Sequence, residues 1–186
     1  MKPIKFPVVI IFIMSCWGCK KDNINQQVIP IPNGDFELWD NMPNLYSWQT
    51  NSCPACVPPY DTYIVKRVTD VSNGQFAAKF IYNNFYNSFA NNKFSISLHP
   101  TVLTGYVKST IANEDTAIIH IDIFSGNNLI DNGKFYETSS HAAYRKIEIP
   151  ISQNSLIADS ALIKIIGGKK QTTELYVDHL VLLKKD

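Results

Sequence analysis

The stretch Asp115–Phe124, DTAIIHIDIF, decides the fold class. Side chains of a β-strand point alternately to its two faces, so Ala117, Ile119, Ile121 and Ile123 fall on one side. Ile118, His120, Asp122 and Phe124 fall on the other. The first set suits a core and the second a partly wetted surface, which is where function is to be sought.

Outward from this stretch, nearly every apolar run beyond residue 32 alternates with period two and is bounded by Asn, Gly, Asp, Pro or Ser, the turn formers. Strands are expected near Phe36–Trp39, Tyr63–Val68, Gln75–Tyr82, Lys93–Leu98, Leu103–Ser109, Ala117–Phe124, Tyr144–Ile149, Leu162–Ile166 and Leu175–Leu183. In Lys93–Leu98 the alternation sets Phe94, Ile96 and Leu98 toward a core and Ser95 and Ser97 toward water. No run carries a helical period, and Ser155–Ala161 is too short to bury a useful stripe, so it reads as a connection. The Asn pairs at 83–84, 91–92 and 127–128 read as loops, where Asn tolerates left-handed backbone. Many strands joined by short turns make an all-β protein, an antiparallel β-sandwich, with an all-β barrel as the alternative.

The 186 residues suit one domain with a sizeable core, and 45% hydrophobic with 12% aromatic content is that of a folded chain. Seventeen basic against 16 acidic residues leave no electrostatic footprint for nucleic acid, which is set aside as a partner.

The N-terminus is a separate object. Lys2 and Lys5 precede an apolar stretch from Phe6 to Met14, too short for a permanent bilayer span, which reads as a secretion signal over residues 1–15. Its end, IMSCWGCKK, resembles the lipobox of bacterial lipoproteins, with Cys16 as the lipidated residue and Cys19 as second choice. The resemblance implies palmitate-type acylation, a membrane anchor without a spanning helix, and an outer-membrane location at the cell surface or periplasmic face. Residues 16–32 read as the lipidated N-terminus and a tether, and 33–186 as the β-sandwich domain.

Four segments carry a second resemblance: NGDFELWDNMPNLYSWQTN, VSNGQFAAKF, LTGYVKST and ELYVDHLVLL. In order and spacing they are similar to the opening, central and closing strands of jelly-roll carbohydrate-binding domains in bacterial surface proteins, of the PCMD-like (putative carbohydrate-metabolism domain) kind. The resemblance implies a galactose-binding-like jelly roll and a role in capturing a poly- or oligosaccharide. It also implies a structural calcium held by Glu37 and Asp178, which would need further oxygens to reach the six to eight that calcium takes. His179 stands where relatives often carry a second Asp, a departure that weakens the copied metal set.

The residues themselves suggest a ligand surface. If Tyr106 and Lys108, His120 and Asp122, and Tyr144, Lys146 and Glu148 face the same way, they form a polar surface spotted with aromatic rings. A pyranose presents a C–H face that stacks on such rings, while its hydroxyls need fixed donors and acceptors. The competing reading is the wet side of an antiparallel sheet, polar for solubility alone. Tyr86, in NNFYNSFANN, is a further stacking candidate; Trp39 and Trp48 read as core. Cys53 and Cys56 form a C-x-x-C that outside the cytoplasm suits a small disulfide staple. Catalysis finds no H-E-x-x-H, G-x-S-x-G or Walker loop. Asp122 with Glu148 is the carboxylate pair to inspect for glycoside cleavage. Three functions are therefore carried forward: a non-catalytic glycan-binding surface lipoprotein, a structural or adhesive subunit binding other cell-surface proteins, and a glycosidase without a readable motif.

Overall fold

The computed structural model describes residues 26–40, 44–52, 64–82, 86–152 and 156–185. Cys16, Cys19, Cys53 and Cys56, on which the lipidation and staple expectations fall, lie outside the described residues. Among the described residues there is no helix; eleven strands carry the regular structure. They are β1 (Gln26–Ile29), β2 (Gln49–Thr50), β3 (Val65–Val68), β4 (Ala77–Ile81), β5 (Phe89–Ser95), β6 (Val102–Thr110), β7 (Ala117–Ser125), β8 (Asn128–Glu137), β9 (His141–Pro150), β10 (Ser160–Ile166) and β11 (Glu174–Lys185).

All pairings are antiparallel. One sheet has the order β3-β4-β11-β6-β9, with β1 added alongside β11; the other runs β2-β5-β10-β7-β8. The chain changes sheet repeatedly along its length, only β3–β4 and β7–β8 among the described strands being successive in one sheet, so each sheet is assembled from distant segments. Alternation fixes which side chains meet between them. Ile119, Ile121 and Ile123 of β7 are wholly buried against the other layer, as are Leu103 and Val107 of β6 and Leu175 of β11. The expected division of DTAIIHIDIF into a core face and a partly wetted face is what is found: Ile118, His120 and Phe124 are half-buried on the outer side.

Three differences from the expected elements have physical reasons. Phe36–Trp39 is not a strand: Phe36 sits at φ 59° and is fully buried, stacked on Trp48 at 5.3 Å between centroids. Burial of that ring outweighs the strain of a left-handed aromatic residue. Asn33, at φ 49°, is the hub of this knot, accepting from the Leu38 amide and donating to the Leu38 and Tyr46 carbonyls. Second, Asn91–Asn92, read as a loop, lies within β5, where buried Asn92 donates to the Pro32 carbonyl, and β8, which follows the turn at Asn127, stands where no strand is expected. It is an edge strand whose inward positions include Gly133 and Glu137, so no apolar alternation announces it. Third, Gln26–Ile29, within the stretch read as tether, pairs with Lys185–Leu182 at the end of β11.

Where β8 hands over to β9 at the sandwich edge, the two sheets are clasped by charge. Glu137 of β8 is only 2% exposed and accepts from Arg145 Nη2 of β9 at 2.7 Å.

Candidate functional site

The outer face of the sheet containing β11 gathers the polar and aromatic residues. Register places Tyr176 of β11 opposite Lys79 of β4 on one side and Lys108 of β6 on the other. One row further along, Asp178 faces Tyr106, and Tyr106 faces Lys146 of β9. Because these partners stand one strand spacing apart, cations and rings interleave. Lys79 Nζ lies 5.0 Å from the Tyr176 ring centre, Lys108 Nζ 4.4 Å from the same ring, and 5.7 Å from the ring of Tyr144. Such contacts are worth about 0.5–1 kcal/mol each at partly exposed sites.

Carboxylates fix the row from its flanks. Glu174 pairs with Lys79 at 2.7 Å and accepts from the Tyr176 hydroxyl at 3.0 Å. Burial alone would lower the Lys79 pKa, but the Glu174 carboxylate and Tyr176 hydroxyl raise it above its ordinary value. The same contacts outweigh burial at Glu174 and hold its pKa down. Lys108 pairs with Asp70, and the Tyr144 hydroxyl donates to the Asp70 carbonyl at 2.7 Å. Burial, followed by the charges of Asp70 and Asp178, pushes the Tyr144 phenol up, so it stays a neutral donor.

Asp70 belongs to the β3–β4 connection, which folds over this face as a strap. Two carboxylates hold the strap by its backbone. Asp178 Oδ2 accepts from the amides of Ser72 and Asn73 at 2.7 and 2.9 Å. Glu37 Oε1 accepts from those of Gln75 and Phe76 at 2.7 and 3.2 Å. Between them Gly74 turns at φ +75°, and a Cβ there would meet Glu37 Oε1 at 1.9 Å, so both conformation and space demand glycine. Between strap and sheet lies a cleft of about 440 Å³ lined by Arg67, Val68, Thr69, Asp70, Phe76 and Tyr176.

Glu37 and Asp178 thus work on one loop, from the opening segment and the last strand. Burial raises the Asp178 pKa, with the Asn73 and Ser72 amides offsetting only part, and its Oδ1 is buried without a hydrogen-bond partner. A divalent cation would suit that orphaned oxygen. Among the described residues, however, no group of three or more His, Cys, Asp or Glu side chains forms a metal-ligating cluster, so backbone oxygens would have to supply most of a shell.

The expected ligand surface is therefore divided. Tyr106, Lys108, Tyr144 and Lys146 share this face, with Glu148 at its lower end bonded to Lys146 at 2.9 Å. His120 and Asp122 do not belong to it. They lie on β7 in the other sheet, on the opposite outer face of the sandwich. The single-surface expectation fails because alternation sets a residue's face within its strand but not the sheet the strand joins. The same division separates Asp122 from Glu148. Sheets pack about 10 Å apart and these side chains point away from each other, so they cannot approach the ~5–9.5 Å of a glycosidase pair. Tyr86 is exposed in the connection before β5, outside both faces. Trp48 is buried as expected, donating to the Asn33 carbonyl, and Trp39 packs against the core while donating to that of Phe36.

Sequence reasoning misses Lys79, Glu174 and Tyr176 as site residues. Their signal is the same alternation: in ELYVDHL, Glu174, Tyr176 and Asp178 share one phase, opposite Leu175 and Val177.

These features define an all-β, antiparallel sandwich of the jelly-roll class with a polar, ring-bearing outer face. No family model matches the chain, and no curated protein matches it. Solved structures do. The carbohydrate-binding module TmCBM61, solved with β-1,4-galactotriose, is similar at 13% identity and TM-score 0.54, over 84% of this chain and 97% of that one. A cyclase from Fischerella sp. is similar at 13% identity and TM-score 0.51, over 85% and 96%. The arabinose-bound α-L-arabinofuranosidase MgGH51 is similar at 10% identity and TM-score 0.54, over 83% of this chain but 26% of that one. At these identities the likeness concerns the fold.

Proposed function

We propose that this protein is a cell-surface lipoprotein whose jelly-roll domain binds glycans without cleaving them, using the outer face of the β11 sheet. The observation that carries the reading is the interleaved row Lys79–Tyr176–Lys108–Tyr144 beside the strap cleft. Its rings are fixed in orientation by neighbouring cations and hydrogen bonds, giving a preorganised floor for sugar C–H faces. Arg67 and Asp70 on the cleft wall offer a donor and an acceptor to hydroxyls. The fold's likeness to a galactotriose-bound module is consistent with this ligand class. Cys16, within the lipobox-like IMSC, would carry the lipid and hold the domain at the outer membrane, where capture could feed a glycan-degrading system.

Calcium is proposed as the strap's companion ion. Glu37 and Asp178 would hold it with backbone oxygens, and it would supply the positive charge that buried Asp178 lacks. The test is a glycan array with the chain from about Lys20 onward, in parallel with Tyr176→Ala and Tyr144→Ala. Binding to neutral glycans that both variants lose supports the reading; binding that neither alters removes this face from it.

A further inference from the structure

We propose that the opposite outer face, on the five-stranded sheet, is a second binding surface, selective for acidic glycan chains bearing carboxylate or sulfate groups. The ligand class rests on the glycan-binding reading above; the charge preference rests on this face alone. Hydrogen-bonded register aligns Gln49 of β2, Asn91 of β5, Lys164 of β10, His120 of β7 and Lys134 of β8 in one row crossing all five strands. Strands stand about 4.8 Å apart, so Lys164 and Lys134 are held roughly 10 Å apart with His120 between them. Such a row fits an extended chain lying across the strands, with anionic groups at intervals.

The flanking rows supply the rest of a saccharide site. On one side Phe89, Ile166, Ile118 and Tyr136 form an apolar row, a floor for C–H faces. On the other side Lys93 and Leu162 lead to Asp122 and Asn132. Asp122 is 6% exposed and is the one acidic side chain in the three rows; it lies 3.2 Å from Lys164 Nζ and 2.8 Å from His120 Nε2. It neutralises one cation at most. Lys93 and Lys134 are exposed; the exposed Asp159 carboxylate beside the rows offsets part of the Lys93 charge, and Lys134 with Lys164 keeps the row net positive. Burial keeps the His120 pKa low, with the Lys134 and Lys164 charges in the same direction, against the pull of Asp122. The imidazole therefore stays a neutral hydrogen-bonding group in the middle of the row, its Nε2 buried and poorly aligned with Asp122. The amides Gln49 and Asn91 at one end suit hydroxyls and the lysines suit anions. That division matches a charged sugar polymer better than a uniformly anionic one.

The test uses the full-length mature protein in detergent, with polygalacturonate, a sulfated heparin fragment, neutral β-1,4-galactan and single-stranded DNA as probes. Expected is salt-sensitive binding of at least one acidic polysaccharide, weakened about tenfold in Lys134→Gln/Lys164→Gln, the loss of two partly screened ion contacts. Whether the carboxylated or the sulfated chain binds identifies the anionic group. Tyr144→Ala should leave this binding unchanged, whereas the double variant should leave galactan binding unchanged, so the two faces fail separately. The proposal is overturned if neither acidic chain binds, if the double variant binds them as tightly as the parent, or if DNA binds as well as the best polysaccharide.

Discussion

Truncation of Ile121 to Ala tests the two-layer assignment at its centre. Ile121 is fully buried, paired with Ile163 of β10 on one side and Gly133 of β8 on the other. Ile121→Ala removes about three methylene equivalents at about 0.8 kcal/mol each, or about 2.4 kcal/mol of transfer free energy. The hole left in a close-packed layer raises this to about 3–4 kcal/mol. In a domain of this size that is a fall of roughly 6–16 °C in Tm. The neighbouring glycine sharpens the test. A Cβ on Gly133 would lie 2.7 Å from the Pro150 carbonyl and 2.8 Å from Ile149 Cγ2, but 3.4 Å from Ile121 Cγ2. The obstacle is therefore backbone on β9, not the Ile121 side chain. Gly133→Ala should cost about 1–3 kcal/mol by itself and should not rescue Ile121→Ala. Urea melts of both single variants, the double variant and Tyr106→Ala would decide it. The two-layer assignment is refuted if Ile121→Ala costs less than about 1 kcal/mol, if Gly133→Ala restores it, or if Tyr106→Ala on the outer face is the more damaging change.

Further expectations concern the latches and the anchor. Asp115 is buried and accepts from the Thr173 hydroxyl and from the amides of Lys169, Lys170 and Thr116; burial pushes its pKa up, but these bonds win and hold it low. A lowered carboxyl pKa contributes stability that is present above its ordinary value and lost as pH falls through the folded one. Asp115→Ala should accordingly destabilise by about 2–4 kcal/mol at neutral pH and flatten the acid limb of a pH-stability curve. For the strap, added calcium should raise the Tm of the parent but not of Asp178→Asn; equal responses would dismiss the cation. For the anchor, Cys16→Ala should abolish palmitate labelling, and retention of label by that variant with loss in Cys19→Ala would move the lipid to Cys19.

Much of the sandwich is legible in the sequence because several of its strands are long and keep one alternating phase over most of their length. The β6, β7 and β9 segments, and β11 as far as Asp178, set small or aliphatic residues against polar ones, and their sides follow from sequence alone; at His179, φ 50°, β11 bulges and its inward set passes from Leu175 and Val177 to Leu180 and Leu182. Strand partnership is not legible. Nothing in GYVKS or IIHIDIF states that β6 and β7, consecutive in the chain, enter different sheets, so alternation groups Lys108 with His120 although they face opposite ways. The β8 strand is hidden by its edge position, where Asp131, Gly133 and Glu137 take inward places that an interior strand fills with aliphatics. Phe36–Trp39 misleads because a buried left-handed Phe cannot be told from a strand residue by its hydrophobicity. At the site, Tyr106, Lys108 and Tyr144 emerge from alternation, whereas the strap that Asp178 and Glu37 hold depends on contacts across tens to about a hundred residues of chain.

The most direct test of glycan binding on this face is isothermal titration of neutral β-1,4-galacto-oligosaccharides and related neutral glycans against the parent protein and Tyr176→Ala. Tyr176 touches two lysines and walls the strap cleft, so removing its ring takes away a stacking platform while its core-facing neighbours Leu175 and Val177 stay in place. Measurable binding by the parent is expected to weaken by about tenfold or more in Tyr176→Ala, a loss of about 1–3 kcal/mol for one stacking ring, with the fold retained. Equal affinity in the two proteins would contradict the proposed function.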